Sequence, residues 1–249
     1  MNFFEKAKNI LRFAVDCLFP RCCIICSEKV DGDKYCNLCS HCVAHIPWIG
    51  NQKCSICSRP MGEEKDAKGE KLVCSECREC PPPFKSGMAC WLYKGVGRDI
   101  ILTLKYRHAD FLQNDIANLL KNHWPSVREF TENSILVPVP THYFRRLGRG
   151  YNQTEVISNA IVKITSGAKV VSMLRSKHKK SQTKLKKAER LLNIKNMFEY
   201  SSAGSISDKN LRIVVVDDIL TTGATLRECC TVLQRAGFNN LHVLTLAYG

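Results

Sequence analysis

The apolar and polar positions of the C-terminal two thirds of the chain alternate between strand patterns and helix patterns. The run 213–216 consists of β-branched residues, as in a strand covered on both faces, and 226–236 has helical spacing up to Gly237. Similar patterns predict helices at 97–105, 110–123 and 152–165, and strands at 134–139, 169–174, 211–216 and 241–246. Strands that alternate with helices predict an α/β fold with a mainly parallel sheet and helices on both of its faces.

The N-terminus has a different pattern, in which apolar residues recur at helical spacing between charged residues. This pattern predicts an amphipathic helix over 1–20. The charges interrupt any apolar core of a secretory signal and no small-residue cleavage site follows, so we expect a cytoplasmic protein. We expect the helix to pack on the chain's own domains; the alternative is peripheral contact with the inner face of the cell membrane. No apolar run reaches the roughly 20 residues of a membrane-spanning helix.

Cysteines are concentrated in the N-terminal part, where thirteen of the fifteen lie at or before Cys90. Four pairs have two residues between the cysteines, a spacing that lets one turn present both sulfurs to one metal ion. The pairs are Cys23 and Cys26, Cys39 and Cys42, Cys54 and Cys57, and Cys74 and Cys77. Two such pairs complete a tetrahedral four-thiolate zinc site, so we expect structural Zn²⁺ with no open position for catalysis. The alternative is a disulfide framework, which requires an oxidising compartment.

The spacing leaves the choice of ligands and their pairing open. The four pairs can combine in sequence or interleaved, and Cys22, Cys36 and Cys80 lie close enough to the pairs to replace a ligand. His41 and His45 are also near, and we expect them to be surface residues.

A run of three prolines at 81–83 forms a stiff connector after the last cysteine pair. It divides the chain into a zinc-knuckle module over 21–83 and a larger domain over 84–249. Because the module is small and poor in large apolar residues, we expect the metal to supply much of its folding energy.

The segment after the apolar run 213–216 combines two acids with a small, hydroxyl-rich loop. Backbone N–H groups of such a loop, with the positive end of the following helix, can hold a phosphate. The expected cradle consists of Thr221, Thr222, Gly223, Ala224 and Thr225. The carboxylates of Asp217 and Asp218 suit the two hydroxyls of a ribose, or a magnesium ion that bridges them.

Residues 215–225 resemble the loop with which type I phosphoribosyltransferases bind phosphoribosyl pyrophosphate (PRPP). The resemblance implies a type I phosphoribosyltransferase-like fold with PRPP and Mg²⁺ as ligands. Purine-salvage enzymes of that family usually carry an Asp, taken as the general base, where this chain has Thr221. This departure weakens a purine-salvage assignment.

A longer series of motifs, which spans nearly the whole chain, resembles the ComF family of competence-associated proteins. After the cysteine pairs come Pro82-Pro83-Phe84, Leu104-Lys105-Tyr106, Val137-Pro138-Val139-Pro140, Arg149-Gly150-Tyr151-Asn152-Gln153, Ser181-Gln182 with Arg190 and Asn193, and the loop 217–225. The resemblance implies a role in natural transformation, in which external DNA enters the cell as a single strand. A related branch is linked by name to gluconate metabolism. The resemblance implies recognition of PRPP more firmly than its turnover.

Three basic residues outside the loop are further candidates for phosphate contacts. Arg145 and Arg149 follow the rigid segment 137–140, in a loop expected at the same edge of the sheet. Their guanidinium groups suit the oxygens of a pyrophosphate. Lys105 is expected either to hold phosphate or to cover the surface.

The formal net charge of +14 points to a polyanionic partner. The run 175–187 contains no acid, and a second basic cluster at 145–149 lies among the aromatic residues Tyr143, Phe144 and Tyr151. Such clusters bind nucleic-acid phosphates without reading base sequence, and aromatic rings can stack on unpaired bases. Solvated basic loops and core aromatics are the alternatives. The candidate nucleic-acid contacts are Arg145, Arg146, Arg149, Arg175, Lys177, Lys179, Lys180, Lys184, Lys186 and Lys187.

Three functions are compatible with these features. The favoured one is a cytoplasmic protein of natural transformation that binds single-stranded DNA and PRPP, with DNA-uptake helicase or recombination proteins as candidate partners. The second is an active phosphoribosyltransferase with an unidentified nitrogenous acceptor. The third is a zinc-knuckle scaffold for protein interactions.

Overall fold

The computed structural model describes residues 20–32, 34–61, 72–106, 109–141, 150–177, 196–201 and 206–249. The predicted N-terminal helix lies outside these ranges, apart from Pro20. Within them, no helix has both the length and the apolar character needed to cross a membrane.

Five parallel strands form the central sheet in the order β1-β7-β6-β2-β3, and two further strands pair antiparallel as β4-β5. The strands are β1 (Ser86–Leu92), β2 (Ile135–Pro138), β3 (Lys169–Val170), β4 (Leu174–Ser176), β5 (Phe198–Tyr200), β6 (Ile213–Leu220) and β7 (Leu241–Tyr248). The helices are α1 (Ser40–Ala44), α2 (Ser75–Glu79), α3 (Gly95–Tyr106), α4 (Gln113–His123), α5 (Ser126–Thr131), α6 (Gln153–Val162) and α7 (Ala224–Arg235), and a 3-10 turn at Ala109–Leu112 precedes α4. The predicted α/β fold with a mainly parallel sheet is confirmed.

The apolar run of β6 lies in the middle of the sheet and is covered on both faces. Val214 and Val216 pack with residues of α3, α4 and α6, whereas Ile213 and Val215 pack with α7 and the β4-β5 pair. All four side chains are fully buried. This two-sided burial explains why the sequence shows a continuous apolar run rather than an alternating one.

The largest differences from the predicted elements are in the strands. β6 continues four residues beyond the predicted end, because Asp217 and Leu220 still pair in register with Thr245 and Tyr248 of β7. The predicted strand 169–174 is divided, since β3 joins the central sheet and β4 pairs with β5. Strand β1 was not predicted, and its sequence contains Gly87, a residue that weakens a strand pattern.

Gly87 is required because the cysteine-rich part of the chain rests directly on β1. A Cβ atom at this position would lie 2.9 Å from the backbone oxygen of Ile56 and 2.8 Å from a methyl carbon of Val243. The hydroxyl of Ser58 also donates a hydrogen bond of 2.8 Å to the Gly87 carbonyl. Only a residue without a side chain therefore allows this close contact between the two parts of the chain.

The first cysteine-rich segment is attached to the opposite face of the sheet through a buried carboxylate. Asp115 of α4 is fully buried and accepts hydrogen bonds from the backbone N–H of Cys36 at 2.6 Å and of Asn37 at 3.1 Å. The side-chain amide of Asn37 donates a third bond of 2.7 Å. One carboxylate thus fixes the loop before α1 against the helical layer.

Replacing Asp115 with Ala is expected to lower the free energy of unfolding by about 1–3 kcal/mol, because two backbone donors lose their acceptor. The measurement is the urea midpoint of the zinc-loaded protein. The matched control is Asp110→Ala, which removes an exposed carboxylate from the turn before α4 and is expected to change stability by less than about 0.5 kcal/mol. Equal effects of the two changes would contradict this role of Asp115.

Candidate functional site

Four cysteines near the N-terminus form the first metal-binding cluster. The Sγ atoms of Cys23, Cys26, Cys39 and Cys42 all lie within 4.8 Å of one another. The turn between Cys23 and Ser27 is tight, with Ser27 at φ 66° and its N–H donating to the Cys23 carbonyl at 2.8 Å. Cys39 caps α1, and its Sγ accepts from the N–H of Cys42 at 3.4 Å.

The second cluster repeats this arrangement with Cys54, Cys57, Cys74 and Cys77, whose Sγ atoms also lie within 4.8 Å of one another. Ser58 has φ 59° and donates to the Cys54 carbonyl at 2.9 Å, as Ser27 does in the first cluster. We call residues 23–42 the first knuckle pair and residues 54–77 the second knuckle pair.

The geometry of both clusters fits zinc. With zinc–sulfur bonds of about 2.3 Å, two thiolates of a tetrahedral site are about 3.8 Å apart. The Sγ atoms of Cys26 and Cys39 are separated by 3.6 Å, and those of Cys57 and Cys74 by 3.7 Å. Each cluster combines neighbouring pairs, so the pairing is sequential and the interleaved alternative is wrong.

The alternative ligands lie outside both clusters. Cys22, Cys36 and Cys80 are exposed free thiols. His41 and His45 are also exposed, and the Nδ1 atom of His45 lies 2.7 Å from the His41 carbonyl oxygen.

The predicted phosphate cradle lies where β6 ends and α7 begins. Gly223 caps the helix with φ 70°, a left-handed conformation that favours glycine, and its carbonyl accepts from the N–H of Arg227 at 2.8 Å. Thr221 and Thr222 are exposed, while Thr225 is partly buried. The N–H of Ala224, in the first turn of α7, donates to Oγ1 of Thr222 at 3.4 Å, so the start of the helix lies directly beside the exposed threonines.

The two acids before the cradle have different surroundings, because successive side chains of a strand point to opposite faces. Asp218 is buried on the face of α3 and α6. Its Oδ2 atom lies 3.1 Å from Nζ of Lys105 and accepts a hydrogen bond of 3.1 Å from Nε2 of Gln153. Asp217 belongs to the face of α7, and its Oδ1 atom accepts from the N–H of Asp218 at 2.9 Å.

The pKa of Asp217 is raised from 3.8 to about 8, chiefly by burial and secondly by the charge of Asp218. The positive charge of Lys105 opposes this increase. At neutral pH Asp217 therefore largely retains its proton, while Asp218 on the other face lies against the ammonium group of Lys105.

Gln153 is a site residue that the sequence reasoning did not select, although it ends a motif that was recognised. It begins α6, where Asn152 caps the helix by accepting from the N–H of Thr154 at 3.3 Å. Asn152 also donates to the Val139 carbonyl at 3.2 Å, and Thr154 Oγ1 donates to the same oxygen at 2.7 Å. These bonds fix the start of α6 to the end of β2 and so position Gln153 beside Asp218.

The structure describes only some of the other residues that were predicted to contact phosphate or nucleic acid. Lys105 forms the ion pair with Asp218, so its expected phosphate contact stays a prediction. Arg175 pairs with Glu199 at 2.6 Å across the β4-β5 pair, and Lys177 is exposed. Eight predicted contacts lie outside the described residues: Arg145, Arg146, Arg149, Lys179, Lys180, Lys184, Lys186 and Lys187.

Elemental analysis of the purified chain is expected to find about two zinc ions, one for each cluster of four thiolates. The double variant Cys39→Ser with Cys42→Ser should retain about one, because it removes half of the first cluster. Cys36→Ser, which changes an exposed thiol outside the clusters, is the matched control and should retain both. A loss of zinc in the control would contradict the ligand assignment.

Comparison with known proteins identifies two domains. Residues 14–80 match the double zinc ribbon domain, and residues 136–249 match the phosphoribosyl transferase domain. Among solved structures, a hypoxanthine phosphoribosyltransferase from Staphylococcus aureus aligns with 55% of this chain and 62% of its own, at 20% identity and a TM-score of 0.32.

Relatives extend the similarity over most of the chain. Competence protein F of Haemophilus influenzae is 25% identical over 225 residues, which cover 84% of this chain and 96% of the relative. Competence protein ComFC of Streptococcus pneumoniae is 24% identical, over 84% of this chain and 86% of its own. DNA utilization protein YhgH of Escherichia coli K12 is 25% identical, over 74% and 85%. The chain is therefore a homologue of these competence and DNA utilization proteins, and it joins a double zinc ribbon domain to a phosphoribosyl transferase domain.

Proposed function

We propose that the protein binds single-stranded DNA and PRPP with Mg²⁺, and that it handles DNA taken up in natural transformation on the cytoplasmic side. The observation that carries the ligand proposal is the convergence of three groups at the carboxyl ends of parallel strands. The first group is the cradle 221–225, and the second consists of Asp217 and Asp218 at the end of β6. The third consists of Lys105 and Gln153, each of which contacts Asp218. Ligands of open α/β sheets bind at this edge.

Each part of the site matches one part of a phosphoribosyl ligand. The N–H groups at the start of α7 and the hydroxyls of Thr221 and Thr222 suit the 5′-phosphate. The carboxylates of Asp217 and Asp218 suit the ribose hydroxyls and the ion. Magnesium, when bound with PRPP, neutralises part of the phosphate charge.

Lys105 and the proton on Asp217 keep the charge of the site nearly balanced. Lys105 compensates Asp218, and Asp217 is mostly neutral at pH 7. Asp217 and Asp218 would hold a divalent cation only once Asp217 has released its proton and Asp218 no longer serves Lys105 alone. Lys105 would then be available to a phosphate oxygen.

The nucleic-acid proposal rests on charge and on the relatives. The basic run begins in β4, and the N–H of Lys177, its last described residue, donates to the carbonyl of Met197 at 2.8 Å, next to β5. Relatives that carry the names competence protein and DNA utilization protein support DNA as the polyanion. The neutralisation of phosphates by lysine and arginine accounts for affinity without base recognition.

One observation favours the second function, an active phosphoribosyltransferase. A carboxyl group with a pKa of about 8 can exchange a proton near neutral pH, and Asp217 lies at the carboxyl end of β6, next to the cradle. Release of pyrophosphate from PRPP in the presence of a nucleobase would establish this activity. A zinc-knuckle scaffold, by contrast, predicts no salt-dependent binding of DNA.

Changing both Asp217 and Asp218 to Asn is expected to weaken magnesium-dependent PRPP binding at least tenfold in calorimetry, because the charged partners of the ion are lost. In the unchanged protein, affinity should rise about tenfold between pH 7 and pH 9, since Asp217 ionises with a pKa of about 8. Asp217→Asn alone should flatten this pH profile.

The matched control for the carboxylate variants is Asp208→Asn, which alters an exposed acid outside the site. It should bind PRPP as the unchanged protein does. Equal PRPP affinities of the double variant and this control would contradict the assignment of residues 217–225 as the PRPP site.

Changing Lys179, Lys180, Lys186 and Lys187 to Ala is expected to lower the affinity for fluorescent single-stranded DNA of every sequence. The negative slope of log affinity against log salt concentration should become less steep by up to about 3, because each lost phosphate contact reduces its magnitude by about 0.7. The charge-matched control changes the exposed residues Lys29, Lys34, Lys121 and Lys163. An equal loss in the control would indicate a general effect of net charge, and a loss for one sequence only would indicate base recognition.

A further inference from the structure

A pocket lies where the second knuckle pair meets the carboxyl edge of the central sheet. One wall belongs to the knuckle pair and the other to the phosphate cradle. Its lining includes Cys57, Arg59, Glu76, Thr221, Thr222 and Arg227. The zinc module and the phosphoribosyltransferase-like domain therefore meet at the cradle itself.

Arg59 is the residue of the knuckle pair that is best placed for a ligand at the cradle. Its Nε donates to the hydroxyl of Tyr248 at 2.8 Å, and Tyr248 pairs in register with Leu220, the residue before Thr221. The carbonyl of Arg59 accepts from the N–H of Cys54 at 2.8 Å. Backbone and side chain of Arg59 are thus both fixed beside the end of β6.

The guanidinium group of Arg59 retains donors for an additional partner. Its Nη2 pairs with Glu76 Oε2, but Nη1 makes no hydrogen bond or ion pair within the ranges that the structure describes. The planar fork of an arginine can bind two oxygens of a phosphate group at once. The group is already oriented by Tyr248, so less side-chain entropy is lost when a ligand binds.

The second arginine of the pocket has a different role. Arg227 of α7 donates from Nη2 to the Cys80 carbonyl at 3.0 Å, which ties the helix after the cradle to the segment that follows the last cysteine pair. Arg227 therefore joins the two walls, whereas Arg59 lines the space between them.

We propose that Arg59 contacts the 5′-phosphate of the ligand held by the cradle, so that the zinc module and the phosphoribosyltransferase-like domain form one binding site. This inference rests on the proposed binding of a phosphoribosyl ligand. The second knuckle pair then acts as a wall of the ligand site, and its zinc ion holds that wall in shape without touching the ligand.

The competing explanation is that Arg59 serves only the knuckle pair. Four thiolates around one zinc ion carry a net negative charge, and a neighbouring arginine compensates such a charge. The two explanations differ in what happens to the ligand affinity when zinc is retained.

The test uses ribose 5-phosphate without magnesium, since this probe carries the 5′-phosphate and lacks the pyrophosphate. In calorimetry of the full zinc-loaded chain, Arg59→Gln is expected to lower the affinity about tenfold or more, because a charge-assisted contact is lost. The matched control is Arg78→Gln, an exposed arginine directly after the same knuckle pair, whose Nη2 donates to the Val73 carbonyl. It should leave the affinity unchanged.

A second variant is expected to act in the opposite direction. Glu76→Gln removes the acid that competes with a phosphate for Arg59, so it should tighten binding of ribose 5-phosphate about threefold. A role confined to the knuckle pair predicts no such gain. The zinc content of each variant, measured on the same samples, should remain at about two ions.

The outcomes separate the two proposals. Unchanged affinity in Arg59→Gln, in a protein that binds both PRPP and ribose 5-phosphate, would overturn the role of Arg59 and leave the proposed function intact. Loss of affinity together with loss of a zinc ion would assign Arg59 to the knuckle pair and also overturn the inference. Failure of the unchanged protein to bind either compound would overturn both proposals.

Discussion

The two-sided burial of β6 is the constraint on which the other parts of the structure depend. Its apolar run must be covered by helices on one face and by α7 with the β4-β5 pair on the other. Once both layers are in place, the carboxyl end of the strand has only one open direction. The acids and the cradle follow the run directly, so they are brought to the edge of the sheet where a ligand can enter. The chemistry of the site is thus a consequence of how the core is closed.

The zinc clusters depend on the same core, although each is built by local turns. Asp115 attaches the first knuckle pair to one face, and the contact at Gly87 attaches the second to β1. The cysteine-rich module is therefore divided between two sides of the phosphoribosyltransferase-like domain. The chain combines a zinc ribbon module with a phosphoribosyltransferase-like domain, and the two are packed against each other at Gly87 and Asp115.

Local patterns predicted the features that depend on neighbours in sequence. The parallel sheet, the eight thiolates and the cradle with its two acids all have a short-range signature, and the structure contains the sheet and the two clusters as expected. Pairing of the clusters was not predictable, because spacing within a pair does not specify its partner. The end of β6 was missed because the pairing of Asp217 with β7 overrides the low strand preference of an acid. Gln153 was missed because its role depends on an N-cap that fixes α6 to β2.

The partly buried carboxyl group of Asp217 links the proposed ligand site to the stability of the fold. The folded protein holds a proton there up to a pKa of about 8, whereas the unfolded chain releases it near 3.8. The folded state binds more protons between these values, so this group lowers the free energy of unfolding as pH rises from about 4 to about 8. Above that range the penalty is constant, and a cation held by the carboxylate, as proposed above, would offset it. Under the proposed function, the ionisation that prepares Asp217 for a cation is the same ionisation that lowers the stability of the fold.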